Sequence, residues 1–159
     1  MNWKVYKSVF LFSVLIMFYG CGSSEYMFVV ENDEDVETVP DERWELKDDK
    51  TFLLTEISED ETYGYTPENP INVGGINQSE GPLNQRRFLN ALYSPTGKAI
   101  EYYRKGTCCQ FETENGTMGK GLLDMYEITW KGEMVPIILY INMYDFGPLK
   151  APKGFGLGK

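Results

Sequence analysis

The pattern of apolar and polar positions divides the chain into three parts. Residues 8–19 (SVFLFSVLIMFY) are apolar almost without interruption, follow Lys4 and Lys7, and stop at Gly20 and Cys21. Twelve residues are too few for a lasting membrane span, which takes about 20, but they fit the apolar centre of an export signal. Residues 25–50 show neither a helical nor a strand period. From residue 51 onwards, short apolar runs alternate with turn residues, as in a folded domain.

Within that third part the periods predict the elements. Residues 51–58 (TFLLTEIS) are rich in β-formers and read as a first strand. Pro67, Pro70, Gly74, Gly75 and Gly81 punctuate a long structured loop. Pro82 suits a helix's first turn, and Phe88, Leu89, Leu92 and Tyr93 recur at helical spacing, so residues 82–93 are expected to form the one helix. Residues 99–105 read as a strand. Residues 122–130 place Leu122, Tyr126, Ile128 and Trp130 at period two, and Lys131, Gly132 and Glu133 turn the chain into a strand over 134–144. Residues 137–141 are apolar throughout, which predicts a central strand with both faces covered. The tail FGPLKAPKGFGLGK reads as a loop or mobile end. The expected fold is a small α+β domain, a mainly antiparallel sheet of three to five strands with one packed helix, occupying residues 51–159 after a signal (1–20) and an acidic tether (21–50).

Charge sharpens this division. Of the formal net charge of −9, most belongs to the tether, where eleven acidic side chains stand against three basic ones between residues 22 and 50. Like charges oppose compaction, so this stretch is expected to be an extended, disordered spacer. Acidity also argues against a nucleic-acid partner, whose affinity comes from neutralising phosphates. The chain contains no histidine, which removes the commonest group for proton transfer near neutral pH and for holding zinc, copper or iron. No metal or cofactor is expected.

Gly20 before Cys21, with Gly22, Ser23 and Ser24 after it, resembles a bacterial lipobox, although Phe18 stands where leucine is usual. Processing there makes Cys21 the new amino terminus and the site of lipidation. Two or three acyl chains then hold the protein on a membrane at ~0.8 kcal/mol per buried CH2. Gly22 rather than Asp after Cys21 gives no hint of inner-membrane retention, and the expected location is the cell envelope, on the outer membrane ahead of the inner.

Candidate chemistry in the domain is sparse. Cys108 and Cys109 are adjacent, and export places them where thiols oxidise. They read as a disulfide between neighbours, as two buried small side chains on opposite strand faces, or as one half of an intermolecular bridge. Arg86, Arg87, Arg104, Lys105 and Lys120 would make an anion site if the helix met the strand end, against a reading as solvated surface. Asp124 and Glu127 fall on opposite faces of one strand, so no carboxylate dyad is expected. The sequence GTMGKG (116–121) reads as a turn. A binding surface is sought at Tyr63, Tyr65, Arg86 and Arg87.

Tyr63-Gly64-Tyr65, Asn69-Pro70-Ile71 with Val73-Gly74-Gly75, the stretch from Gly81-Pro82 to Leu92, Cys108-Cys109, and Tyr140-Ile141-Asn142-Met143-Tyr144 through Lys150-Ala151-Pro152-Lys153-Gly154-Phe155 resemble an uncharacterised family of small Bacteroidota lipoproteins. The resemblance implies an envelope lipoprotein. Members often carry the name 2-dehydro-3-deoxyphosphooctonate aldolase, which implies a (β/α)8 enzyme. Such a barrel needs about 250 residues, and no catalytic residue of that enzyme maps onto this chain. The sequence therefore predicts a lipid-anchored, non-enzymatic binding module with an envelope protein partner. A thiol-dependent redox protein or small enzyme using Cys108 and Cys109 is the alternative, and the aldolase is a disfavoured third.

Overall fold

The structure, a computed structural model, describes residues 44–132 and 135–158. The export signal, Cys21 and most of the expected tether lie outside the described residues. The end of that tether is not spacer, however. Trp44 packs on the core, and Leu46–Asp48 forms β1, which pairs antiparallel with β2 (Thr51–Phe52). The expected strand over 51–58 is correspondingly short: beyond Phe52 the Leu53 amide still donates to the Glu45 carbonyl (2.8 Å), and the next bridge is the parallel one from Ile57 to Ala151.

The remaining elements are β3 (Ile71–Asn72), α1 (Gly81–Asn90), β4 (Leu92–Tyr93), β5 (Glu101–Thr117), β6 (Lys120–Thr129), β7 (Ile137–Asn142) and β8 (Gly156–Leu157). Four of them make the main sheet in the order β3-β7-β6-β5, with only the β3–β7 pair parallel. One helix on a mostly antiparallel sheet is the expected α+β fold.

Alternation along the strands decides which face the helix covers. On one face Tyr126 and Ile128 of β6, Leu139 and Ile141 of β7 and Ile71 of β3 meet Phe88 and Leu89 of α1, all of them buried. Full burial of such side chains contributes ~1.5–3 kcal/mol each, so this layer is the main source of stability. β7 is an inner strand, as its apolar run predicts. On its helix-facing row Leu139 and Ile141 are buried, whereas on the other face Ile138 and Tyr140 remain half-exposed and only Asn142 is buried.

Three elements depart from their expected bounds. The helix ends at Asn90, and Leu92–Tyr93 leaves it to pair with β8 in the tail. That tail is not a mobile end: Ala151, Pro152 and Phe155 are buried, and Phe155 stacks edge-on against Trp130. Its glycines allow close approach, since a Cβ on Gly158 would lie 2.5 Å from the Tyr93 ring. The strand expected over 99–105 runs on for seventeen residues, to Thr117. It turns into β6 at Met118 and Gly119, both at positive φ (58° and 75°), the left-handed pair that a two-residue hairpin loop requires. The turn expected over 116–121 is therefore present.

Candidate functional site

A groove of about 650 Å³ opens where the segment after β2 meets the segment before β8, lined by residues 56–60, Tyr63, Asn69, Pro70, Asn72, Gly147, Pro148 and Lys150. Backbone pairing fixes its walls. The Ser58 amide donates to the Ala151 carbonyl (2.8 Å), and the Ala151 amide donates to the Glu56 carbonyl (2.9 Å). Tyr63 braces the opposite rim, its hydroxyl donating to the Pro148 carbonyl at 3.1 Å and accepting from the Lys150 amide at 3.4 Å. Asp60 organises the loop between them, accepting from the Thr62 amide and hydroxyl and from the Asn69 side chain, each at 2.8 Å.

Three of the groove's four charged groups, Glu56, Asp60 and Lys150, are committed to fixed partners. The Lys150 ammonium meets Glu56 at 2.7 Å, and that bond holds the Glu56 carboxyl below its usual range. The bonds from Thr62, first its amide, hold the Asp60 carboxyl low as well. A carboxyl held ionised is a fixed anion and acceptor, poorly suited to deliver a proton near neutral pH. Glu56, Glu59 and Asp60 against Lys150 leave the groove acidic. Among the described residues no group of three His, Cys, Asp or Glu side chains could hold a metal ion.

The four residues of the expected binding surface do not come together. Tyr63 lines the groove, whereas Tyr65 ties its loop to the tail by donating to the Lys153 carbonyl. Arg86 and Arg87 belong to α1 and line no part of the groove. Arg87 pairs with Glu80 (3.3 Å), and of the other basic residues considered for an anion site, Arg104 pairs with Asp124 (2.7 Å) and Lys105 with Glu127 (2.8 Å). Those pairs neutralise three of the five basic residues that an anion would need. Asp124 and Glu127 do stand on opposite faces, one against the helix and one outside. Cys108 and Cys109 are joined to each other as a disulfide between neighbours.

Sequence reading missed Ile57, Ser58, Gly147 and Pro148 as groove residues, because the ladder that joins these distant segments leaves no periodic signal. It also missed Asn84 and Gln85. Both are buried, with the Asn84 amide reaching the Val73 and Gly74 carbonyls and Gln85 bridging Asp124 and Tyr126.

Two tyrosines give the domain an alkaline limit. Burial pushes the Tyr63 hydroxyl up to about 12, partly offset by the bond from the Lys150 amide, and burial pushes Tyr126 up to about 12 with help from the nearby Asp124 charge. Unfolded tyrosines titrate near 10. Between these values the unfolded chain has lost protons that the folded one keeps, so the tyrosines' contribution to stability is complete below about pH 10 and is lost as pH rises towards 12. Urea titrations across this range are expected to show that fall, and Tyr63→Phe to make it shallower. A slope unchanged by Tyr63→Phe would remove the groove tyrosine from the account.

In comparisons with known proteins, the chain matches no protein-family model, no curated protein and no solved structure.

Proposed function

We propose that this chain is a lipid-anchored protein of the bacterial envelope, carried by Cys21 on the outer membrane, and that its domain is a non-enzymatic binding module whose ligand is a basic segment of an envelope protein. The observation that carries the binding reading is the groove between residues 56–60 and 147–150: preformed, open and acidic, with one wall held by backbone bonds and the opposite rim braced by the Tyr63 hydroxyl. Sites of this kind are positioned by a rigid frame and use few polar groups for orientation. Its three carboxylates and single, already paired ammonium favour a cationic partner, and Ile57, 45% exposed, offers an apolar contact beside them. The resemblance to small Bacteroidota lipoproteins supports the same localisation.

Titrating the purified protein with a lysine-rich peptide tests the reading. Amide shifts are expected to concentrate at residues 56–60, 69–72 and 147–150 and to weaken with added salt, because exposed charge pairs are screened. Glu59→Lys, which reverses a groove carboxylate that makes no wall-bracing hydrogen bond, is expected to lower the affinity about tenfold, or ~1.4 kcal/mol. Shifts scattered over the tail and helix, or an affinity indifferent to Glu59→Lys, would count against it.

A further inference from the structure

β5 is the edge strand of the main sheet, and its pairing with β6 slips twice between Arg104 and Gln110. Arg104 and Gly106 face Tyr126 and Met125 of β6, leaving Lys105 as an extra residue; Cys108 and Gln110 face Leu123 and Leu122, leaving Cys109 as the second. A bulge of this type is a local device that re-aims side chains at a sheet edge. The second bulge contains the disulfide. Closing a ring between neighbouring residues takes the intervening backbone out of the strand conformation, and Cys109 stands at φ 52°, where residues other than glycine rarely sit.

The two sulfurs differ in surroundings. Cys108 lies directly opposite Leu123, which is 1% exposed, on the sheet face away from the helix, and is itself half-buried. Cys109 is exposed and lies in the strand that has no neighbour on its outer side among the described residues. An incoming nucleophile therefore has open access to the Cys109 sulfur, with Cys108 as leaving group. The anchors on either side of the bulge are independent of it. Tyr102 donates to Asn90 (2.9 Å) and Arg104 to Asp124 before it, and Phe111 stacks edge-on with Tyr144 after it.

From this arrangement we propose that Cys108–Cys109 is a thiol-exchange site, reduced by a dithiol, whose state sets the pairing of the β5 edge. A thiolate of the dithiol attacks the Cys109 sulfur, the bond to Cys108 breaks, and Cys108 leaves as a thiolate. The second thiolate of the reductant then attacks its own sulfur in the mixed disulfide, closing the reductant's disulfide and releasing the Cys109 thiolate. Two electrons pass from the dithiol to the cysteine pair, and the two protons the dithiol gives up complete the two thiols. Exposed and ring-strained disulfides are the labile ones, in contrast to bridges that staple a core. Once open, Cys109 is free to return to negative φ, and the bulge relaxes between its two fixed anchors.

The test uses the full-length purified protein with dithiothreitol as the dithiol. Alkylation of the peptide bearing residues 108–109 is expected at both cysteines without denaturant, and removal of the reductant is expected to restore the disulfide. Hydrogen exchange of the amides at 106–110 and 121–125 is expected to speed up about tenfold or more on reduction, while Leu139 and Ile141 keep their protection. In single variants, Cys109 in Cys108→Ser is expected to react with a monothiol disulfide faster than Cys108 in Cys109→Ser. Reduction that requires denaturant, reduction that unfolds the whole domain, or reduction that leaves exchange at 106–110 unchanged would each overturn the proposal.

Discussion

An Arg104→Leu variant is expected to lose about 3–5 kcal/mol of stability, more than Asp124→Leu, although the arginine is the exposed partner of the pair. Asp124 is buried between α1 and β6, with one oxygen accepting from Arg104 at 2.7 Å and the other from the Gln85 amide at 2.8 Å. The Gln85 carbonyl in turn accepts from the Tyr126 hydroxyl at 2.8 Å. Removing Arg104 leaves a carboxylate that is 4% exposed without its counter-charge. Removing Asp124 instead frees the guanidinium, 48% exposed, to find water, and orphans only one amide hydrogen of Gln85. That loss is of the order of 1–3 kcal/mol. Urea titrations of both single variants and the double variant form the cycle, and the double is expected to lie close to Asp124→Leu. Equal and small losses of under about 1 kcal/mol would class the pair with ordinary surface bridges.

The same network marks the limit of what the sequence made legible. Asp124 interrupts an apolar-alternating run, and its burial follows from Tyr126 and Ile128 sharing its face. Its partners do not follow, because Gln85 sits on a helix whose rotation is fixed only when Phe88 and Leu89 meet β7. Local period predicted the helix, the inner strand β7 and the β6–β7 hairpin, since each of these is dictated by residues near in sequence. It overran the helix at Leu92, an apolar residue in phase with Phe88 and Leu89. Tertiary pairing to Leu157, far along the chain, takes Leu92 instead. The tail's glycines and prolines read as mobility when isolated. In the fold, Gly158 gives the Tyr93 ring room and Pro148 presents its carbonyl to Tyr63. The groove was half legible for the same reason: Tyr63 stands in a conspicuous loop, but the wall formed with Ala151 is a contact between segments that carry no shared pattern.

The candidate chemistry divides in the same way. The adjacency of Cys108 and Cys109 was plain, yet three states were open to it, and only the position of Cys109 in a bulge of an edge strand distinguishes an accessible sulfur from a sheltered one. The basic residues looked like a common anion site because charge is visible in a sequence and pairing is not. Arg87, Arg104 and Lys105 each face a carboxylate supplied by an element or turn remote from them in pattern.

On the proposed anchoring, Cys21→Ser has the largest expected effect of any single change, because it acts on the whole molecule rather than on its fold. The wild-type chain is expected to incorporate labelled palmitate and to sediment with membranes, with an amino terminus at Cys21. A serine there offers no thiol for the diacylglycerol, so incorporation should fall to background and the precursor should accumulate with residues 1–20 attached. The size of the effect follows from transfer energies. A single acyl chain binds a bilayer only marginally and reversibly, whereas two or more, at ~0.8 kcal/mol per CH2, make dissociation negligible. Among the described residues no helix is long and apolar enough to cross a membrane, so on this reading the acyl chains carry the attachment. The variant's domain should keep the wild-type urea midpoint, since no side chain of the described core is changed, and this separates lost anchoring from lost folding. Palmitate incorporation that survives the substitution, or a mature terminus elsewhere than Cys21, would sink the envelope assignment while leaving the groove and the disulfide to be judged on their own tests.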